Sequence, residues 1–301
     1  MRRVILLSAL LSGAVAPSRL AAQAPPSAAL WRVAASSLAR PPALSEGVAG
    51  TFWNPGALGR ARGIAVGAHV FHTSDVLGMS GVLLGGSLPL PKPVRAGVLL
   101  GRVDIRDLVR TTTSPDANGG SIPVYTQFVG GNIAVSTGPL AAGLALRLHE
   151  ARFDSENVSG LTLDAGIRLR PVDRLLIAAS THLLPIDFSA QSTTDYFAGV
   201  EYTAWDHRPA EGLTARAQVR YGVAYQPDGT VEHLMGIGAE LAGQIEVDAG
   251  VASEAGIGER IWRPSVSLGF RFGGYTVALA HGLGANDVGG TFRVGIDIEF
   301  R

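Results

Sequence analysis

The chain has 301 residues, with 25 basic and 25 acidic side chains, 39 glycines and no cysteine. A formally neutral chain without a basic patch does not fit a nucleic-acid-binding protein, and the lack of cysteine excludes a small secreted domain held by disulfides. The length suffices for one large β domain or two small globular domains.

The first 24 residues have the organisation of an export signal. Arg2 and Arg3 precede an apolar run at 4–11, and Ala22-Gln23-Ala24 fits a small-x-small cleavage site. The sequence therefore predicts a signal peptide over 1–24 and a mature chain with a formal charge of −3, from 22 basic and 25 acidic residues. No later stretch reaches about 18 consecutive apolar residues, so a membrane-embedded form of the mature chain requires a closed β-barrel.

Residues 25–62 lack strand alternation and predict a separate N-terminal segment. The stretch 28–38 predicts a short helix that ends before Pro41 and Pro42, and 47–59 predicts a loop rich in small residues. We expect this segment either to pack outside the following domain or to plug the inside of a barrel.

From residue 63 to the C-terminus the pattern has a period of two. In the last stretch Phe292, Val294, Ile296, Ile298 and Phe300 are apolar, and the residues between them are charged or glycine. The same alternation predicts strands at 64–72, 80–90, 94–104, 122–136, 140–149, 161–170, 174–184, 195–206, 213–225, 231–242, 243–252, 263–273 and 274–283. The fold class is therefore all-β, a closed antiparallel transmembrane barrel of about 14 strands over 63–301.

The connections between these strands alternate in length. Long polar stretches at 105–121, 150–157, 185–194 and 253–262 alternate with short turns, as outer-membrane barrels alternate outside loops with periplasmic turns. Both ends of the barrel would then lie on the periplasmic side, with the last strand pairing with the first near 64–70.

The polar residues of the strands fall on the parity opposite to the apolar ones. Since no segment after residue 63 has a helical period that would cover so large an apolar face, we expect that face to meet lipid and the polar face to line the lumen. The predicted lumen-facing residues are Arg147, Arg168, Arg170, Arg216, Arg220, Asp164, Glu246, Asp248, Arg293 and Asp297. Aromatic residues on the apolar parity near strand ends predict girdles at the lipid–water boundaries.

The sequence contains no pattern that indicates catalysis or a cofactor. The seven histidines are scattered without the ligand spacing of a zinc site, and no G-x-S-x-G motif is present. We therefore predict no metal, no cofactor and no enzymatic activity, with a barrel hydrolase built from a serine, a histidine and an acid converging in space as the enzyme alternative.

One motif in the N-terminal segment is specific enough to suggest a family. Phe52, Trp53, Asn54, Pro55 and Leu58 resemble the aromatic-x-Asn-Pro-Ala-Gly-Leu signature found ahead of the barrel in FadL-like long-chain fatty-acid transporters and their PorV/PorQ-type relatives. Gly56-Ala57 inverts the Ala-Gly of that signature. Asn54 before a proline favours an extended or turn conformation, and its amide would bind backbone groups of a buried plug.

The resemblance implies a passive uptake channel for small hydrophobic compounds, which bind near the plug and leave sideways through the barrel wall. The expected place for such an opening is the loop 105–121 with the preceding Gly97 and Gly101. The alternative within the same family is a PorV-like barrel that anchors or shuttles secreted or surface proteins without transport.

The C-terminus resembles the signal read by the outer-membrane assembly machinery, with Val294, Gly295, Ile298 and Phe300 at its positions and Arg301 as a departure. The expected partners are thus the lipid bilayer, this machinery and small hydrophobic molecules, with no nucleic acid. We expect a monomer in the outer membrane of a Gram-negative cell.

Overall fold

The computed structural model describes residues 26–60, 63–74, 78–106, 108–110, 120–186, 194–209, 212–255, 260–284 and 289–300. Within them the N-terminal segment forms helix α1 (Pro26–Ala35), a 3₁₀ turn (Pro42–Leu44), helix α2 (Gly47–Trp53) and a second 3₁₀ turn (Pro55–Arg60). No helix in these ranges is long and apolar enough to span a bilayer. The predicted signal peptide and Arg301 lie outside the described residues.

The described part of the chain then forms fourteen strands. They are β1 (Ile64–Thr73), β2 (Met79–Pro89), β3 (Val94–Ile105), β4 (Val124–Thr137), β5 (Leu140–Phe153), β6 (Glu156–Val172), β7 (Leu175–Pro185), β8 (Asp195–His207), β9 (Ala215–Tyr225), β10 (Val231–Leu241), β11 (Ile245–Ala255), β12 (Arg260–Phe272), β13 (Tyr275–Gly282) and β14 (Thr291–Phe300).

These strands close into one antiparallel barrel in chain order. The last strand pairs with the first along its whole length, from Ile64 opposite Phe300 to Thr73 opposite Thr291. The predicted strand number and the predicted closure are therefore confirmed. Closure leaves no free sheet edge, so every strand has hydrogen-bonded neighbours on both sides.

The apolar parity faces outward. On β5 the side chains of Leu140, Leu144, Leu146 and Leu148 are 43–55% exposed, whereas Arg147 between them is 0% exposed. A row of exposed leucines flanking a fully buried arginine is the reverse of a soluble barrel and is typical of one that lies in lipid. The outward aromatics near strand ends are Tyr196, Tyr202, Tyr221, Tyr225, Phe270, Phe272, Tyr275, Phe292 and Phe300.

Two local predictions were wrong. The glycine-rich stretch 47–59 is helical rather than a loop, because its surroundings bury it and override the low helix propensity of glycine. The predicted loop 150–157 is mostly strand, since β5 and β6 run on to a tight turn in which Asp154 takes a left-handed φ of 55°.

Candidate functional site

The N-terminal segment, residues 26–60, lies inside the barrel. It contacts the inner face of strands all around the wall, which is possible only from within. Many contacts fall on inward-facing glycines, where an added Cβ would meet an atom of the segment. These are Gly67, Gly85, Gly97, Gly101, Gly143, Gly166, Gly199, Gly222, Gly236, Gly250 and Gly282. The wall thus leaves room for the backbone of the segment by omitting side chains.

Helix α1 crosses the lumen near the end of the barrel at which β3 ends and β8 begins, which we call the upper end. The Arg32 guanidinium donates to Asp195 at the start of β8, with an Nη2–Oδ1 distance of 2.7 Å. Its Trp31 ring packs on Phe128 of β4, 5.3 Å between centroids. At the helix end, the Ser36 hydroxyl lies 3.2 Å from that of Thr291 on β14. The helix therefore spans from the β4 side of the lumen to the β14 side.

Residues 37–46 then follow the inner wall downward and are held by ion pairs. Arg40 pairs with Glu246 and, at 2.9 Å, with Asp248 of β11. Arg220 of β9 also binds Asp248, and it donates to Glu201 of β8 at 2.7 Å. Two guanidinium groups and three carboxylates thus form one network that joins the segment to three strands.

Further predicted lumen residues bind the segment directly. Arg168 donates to the Ser45 carbonyl at 2.9 Å and to the Glu46 carboxylate at 3.0 Å. Arg293 donates through Nε to the Ser37 hydroxyl at 2.8 Å. Asp297 accepts from the Val48 amide at 3.2 Å, at the start of α2.

Arg216 and Arg170 form no hydrogen bond with the described residues of the segment. Arg216 donates to Thr203 of the neighbouring strand β8, at 2.9 and 3.2 Å. Arg170 is half-buried near the end of β6, beside the short turn to β7.

Phe52 stands at the centre of an aromatic cluster. Its ring stacks on Phe128 at a centroid distance of 5.0 Å and contacts Trp31 at 4.6 Å and Trp53 at 4.7 Å. Trp53 in turn packs edge-on against Phe197 of β8 at 6.1 Å. Phe52 and Trp53 are 0% and 1% exposed, so this part of the lumen is filled with side chains.

Arg147 is fully buried next to that cluster and holds the end of α2. It donates to the carbonyls of Phe52 at 2.9 Å and of Thr51 at 3.3 Å, and its guanidinium carbon lies 4.7 Å from the centre of the Phe52 ring. An ion pair with Asp164 of β6 compensates its charge. A cation at the C-terminal carbonyls of a helix satisfies groups that would otherwise be unpaired.

The Asn54 side chain connects separate parts of the segment with each other and with strand β6 of the wall. Its side-chain nitrogen donates to the carbonyls of Ala43 at 2.8 Å and Ile167 at 3.3 Å, and its side-chain oxygen accepts from the Gly56 amide at 2.9 Å. The Pro55 carbonyl occupies the space beside Gly143, where a Cβ would overlap it. Leu58 packs near Gly97 of β3.

The residues of the predicted assembly signal lie on both faces of β14. Val294 and Phe300 are exposed on the outer face, whereas Gly295 points inward. The His69 ring occupies the space where a Gly295 Cβ would stand.

Two charged groups of the segment have clear pKa shifts. Burial would lower the pKa of the Arg40 guanidinium, but Glu246, Asp248 and Glu46 outweigh burial and raise it. Burial would raise the pKa of the Glu46 carboxyl, but Arg168 and then Arg40 outweigh burial and lower it to about 2. Both groups therefore stay charged at neutral pH, and the ion pairs that hold residues 40–46 stay formed.

The wall near Gly97 and Gly101 is closed, so the expected opening was wrong at these glycines; residues 107 and 111–119 of the loop expected to take part lie outside the described residues. β3 pairs without interruption with β2 on one side and β4 on the other. Gly101 gives room to Trp31 and Gly97 to Leu58. These glycines accommodate the segment inside the barrel rather than interrupt the wall.

Crevices between the segment and the wall lie instead around β8 to β12. Two crevices between the segment and the wall hold about 20 and 30 Å³; the first is lined by Ala39, Arg40 and Gly250, and the second by Arg32, Asp195 and Phe197. On the outer surface an apolar groove of about 590 Å³ lies over β8–β11. Met235, Gly250 and Val251 line both the groove and the first crevice. At this point the paired residues Gly236 and Gly250 form the wall between the inner crevice and the outer groove.

The sequence analysis did not identify Arg32, Arg40 and Glu46 of the segment, which bind charged residues of the wall. Their charge could have indicated this role, since charges in a segment enclosed by a barrel need partners on the wall. The inward glycines were a second signal, because their parity places them where the segment passes. No group of three or more His, Asp or Glu side chains that could hold a metal occurs among the residues with described positions.

No protein-family model matches the chain, and no curated protein sequence matches it. Among solved structures it is similar to the CymD monoaromatic hydrocarbon channel, with 10% identity and a TM-score of 0.56 over 85% of this chain and 93% of that chain. It is also similar to the P. putida toluene transporter TodX, with 10% identity and a TM-score of 0.50 over 85% of this chain and 96% of that chain. At this identity the similarity is one of fold.

Proposed function

We propose that the protein is an outer-membrane channel for passive uptake of small hydrophobic compounds, and that residues 26–60 are its movable plug. The observation that carries this proposal is the alignment of the inner crevice and the outer groove across the Gly236–Gly250 pair. The groove volume of about 590 Å³ falls within the range of ligand sites, roughly 300–1,000 Å³. The resemblance of residues 52–58 to the FadL-like signature and the fold shared with two hydrocarbon channels support the same function.

The plug must move for any compound to pass, and β10 and β11, which are paired without interruption here, must also separate at Gly236 and Gly250. Crevices of about 20 and 30 Å³ hold one or two water molecules, whereas a cavity that holds benzene is roughly 150 Å³. The conformation described above is therefore a closed one. Because Ser36 and residues 38–40 line the first crevice, displacement of this stretch from the wall would widen the crevice directly.

A reversible crosslink tests this movement. The chain has no cysteine, so Ser36→Cys with Thr291→Cys would form a single disulfide between the plug and β14. We expect toluene uptake by cells of a Gram-negative host to fall to the empty-vector level under oxidation and to recover on reduction. The matched control is Thr51→Cys with Asn132→Cys, which ties α2 to β4 and leaves residues 36–40 free. Equal uptake by the oxidised and reduced Ser36–Thr291 variant would contradict a moving plug.

The outer groove is tested separately from the plug. Ile237→Trp would fill the groove from the lipid side and should reduce toluene uptake. Ile133→Trp, a comparably exposed isoleucine on β4, controls for a bulky ring in lipid. If both variants take up toluene like the wild type, the route through the β10–β11 wall is wrong.

A second candidate function is the PorV-like barrel that anchors or shuttles proteins without transport. The filled and charged interior around Phe52 and Arg147 favours it, because no crevice described above reaches these side chains. This candidate predicts that wild-type cells take up toluene no faster than empty-vector cells, in either redox state.

A further inference from the structure

A second groove on the outer surface has a different character. It lies over β14, β1, β2 and β3, near the same end of the barrel as α1, and holds about 380 Å³. Its apolar half lies over β14, β1 and β2, with Val294, Val70 and Val82. Its charged half lies over β3 and the residue after it, with Arg102, Asp104 and Arg106, and Arg102 is directly opposite Val82. A groove with an apolar half and a charged half fits an amphipathic ligand.

The charged half lies at a boundary that continues on the neighbouring strands. Outward positions turn from apolar to polar between Leu100 and Arg102 on β3, Val129 and Gln127 on β4, and Leu148 and Glu150 on β5. Arg102 pairs with Gln127, and Gln127 with Glu150, so these polar residues lie at one level of the wall. Such a level marks the edge of the hydrocarbon layer. The groove therefore lies at the depth at which lipid headgroups meet acyl chains, with its valines in the same cross-strand row as Arg102.

The charged half carries more positive than negative charge. Arg102 donates to the Gln127 side chain at 2.8 Å, and its guanidinium lies 4.3 Å from the centre of the Tyr125 ring. Arg106 donates to Asp104 at 3.0 Å. Two guanidinium groups thus face one carboxylate, and 46% and 69% of the two arginine side chains remain exposed for another anion. Guanidinium groups match phosphate oxygens in geometry and charge.

We infer that this groove binds a phosphorylated acyl lipid of the surrounding leaflet. One acyl chain would lie along Val70, Val82 and Val294, and the headgroup phosphate would bind Arg102 and Arg106. The inference is separate from uptake, because the groove lies on strands that do not line the proposed route.

Native mass spectrometry of the full chain in detergent, with added diphosphorylated lipid A, tests this site. We expect a bound lipid on the wild type and about tenfold weaker binding to the double variant Arg102→Gln with Arg106→Gln, since two charge-assisted contacts are lost. Val82→Trp should also weaken binding by filling the apolar half. Both changes lie on exposed or lipid-facing positions, so the barrel should fold.

Two comparisons give the experiment its specificity. Arg152→Gln removes an exposed arginine on β5 that does not line the groove, and it should bind lipid A like the wild type. Dephosphorylated lipid A should bind the wild type and the double variant equally weakly, and inorganic phosphate should not displace the lipid. Equal loss in Arg152→Gln, or binding that does not depend on the lipid phosphates, would overturn the inference.

Discussion

Replacing Asn54 by alanine should release the plug from the wall without opening the barrel. Asn54 is 0% exposed, and its side chain makes three hydrogen bonds, with the Ala43 carbonyl, the Ile167 carbonyl and the Gly56 amide. The alanine variant would leave buried backbone groups without partners, at about 1–3 kcal/mol for each unsatisfied group. With one carbonyl and one amide left unpaired inside the segment, we expect a loss of about 3–4 kcal/mol in the local stability of residues 43–56.

Amide hydrogen exchange of the protein in detergent measures this loss. A loss of about 3 kcal/mol corresponds to roughly a hundredfold lower protection, because each 1.4 kcal/mol is a factor of about ten. The amides of β5 and β6 should keep their protection, since the strands remain paired. Asn54→Asp keeps the oxygen that accepts from Gly56 but cannot donate to the two carbonyls, so it should destabilise the plug at least as much. Unchanged protection of 43–56 in the alanine variant would refute the reasoning.

Two further outcomes follow from contacts of the plug with the wall. Gly143→Val should displace residues 54–56, because its Cβ would overlap the Pro55 carbonyl, and a protease should then cleave the plug. The control Gly131→Val has open space at its Cβ, so its plug should remain resistant to the protease. The Glu46 carboxylate has a pKa lowered to about 2, so its contribution to plug docking is complete above about pH 4.5 and is lost as the pH falls towards 2. The rate of hydrogen exchange of the plug amides should increase as the pH falls from about 4.5 towards 2. The Glu46→Gln variant should lack the part of this increase that comes from protonation of Glu46.

The strands of this fold are readable from the sequence because lipid requires apolar side chains on the outer face, while the inner face also accepts charged and small residues. Leu144 and Leu146 against Arg147 give both the strand and its orientation. The ends of strands are less readable. Beyond the lipid boundary β5 and β6 continue into water, where alternation no longer reports the environment, and their extension to Asp154 was therefore missed.

The interior was only partly predictable, because its contacts join residues distant in sequence. The sequence indicated that Arg147 and Asp164 face inward, but it could not show that Arg147 binds the carbonyls of α2. Gly101 was misinterpreted as part of an opening for a physical reason: a glycine in a strand marks either a break in the wall or a close approach of another chain segment. Only the position of Trp31 decides between these two.

The plug is held to the wall in two chemically different ways, and this difference indicates which part moves. Residues 47–60 are anchored by stacked aromatic rings around Phe52 and by backbone inserted against Gly143, contacts that depend on close fit and are lost together. Residues 36–46 also fit against inward glycines such as Gly222, but they are held in addition by ion pairs such as Arg40 with Asp248, in which water can replace each partner as they separate. The exchange experiment on the wild type should therefore show 36–46 opening at a lower free energy than 47–60. This is the half that lines the crevice behind the Gly236–Gly250 pair, so the weaker attachment lies where the proposed route requires movement.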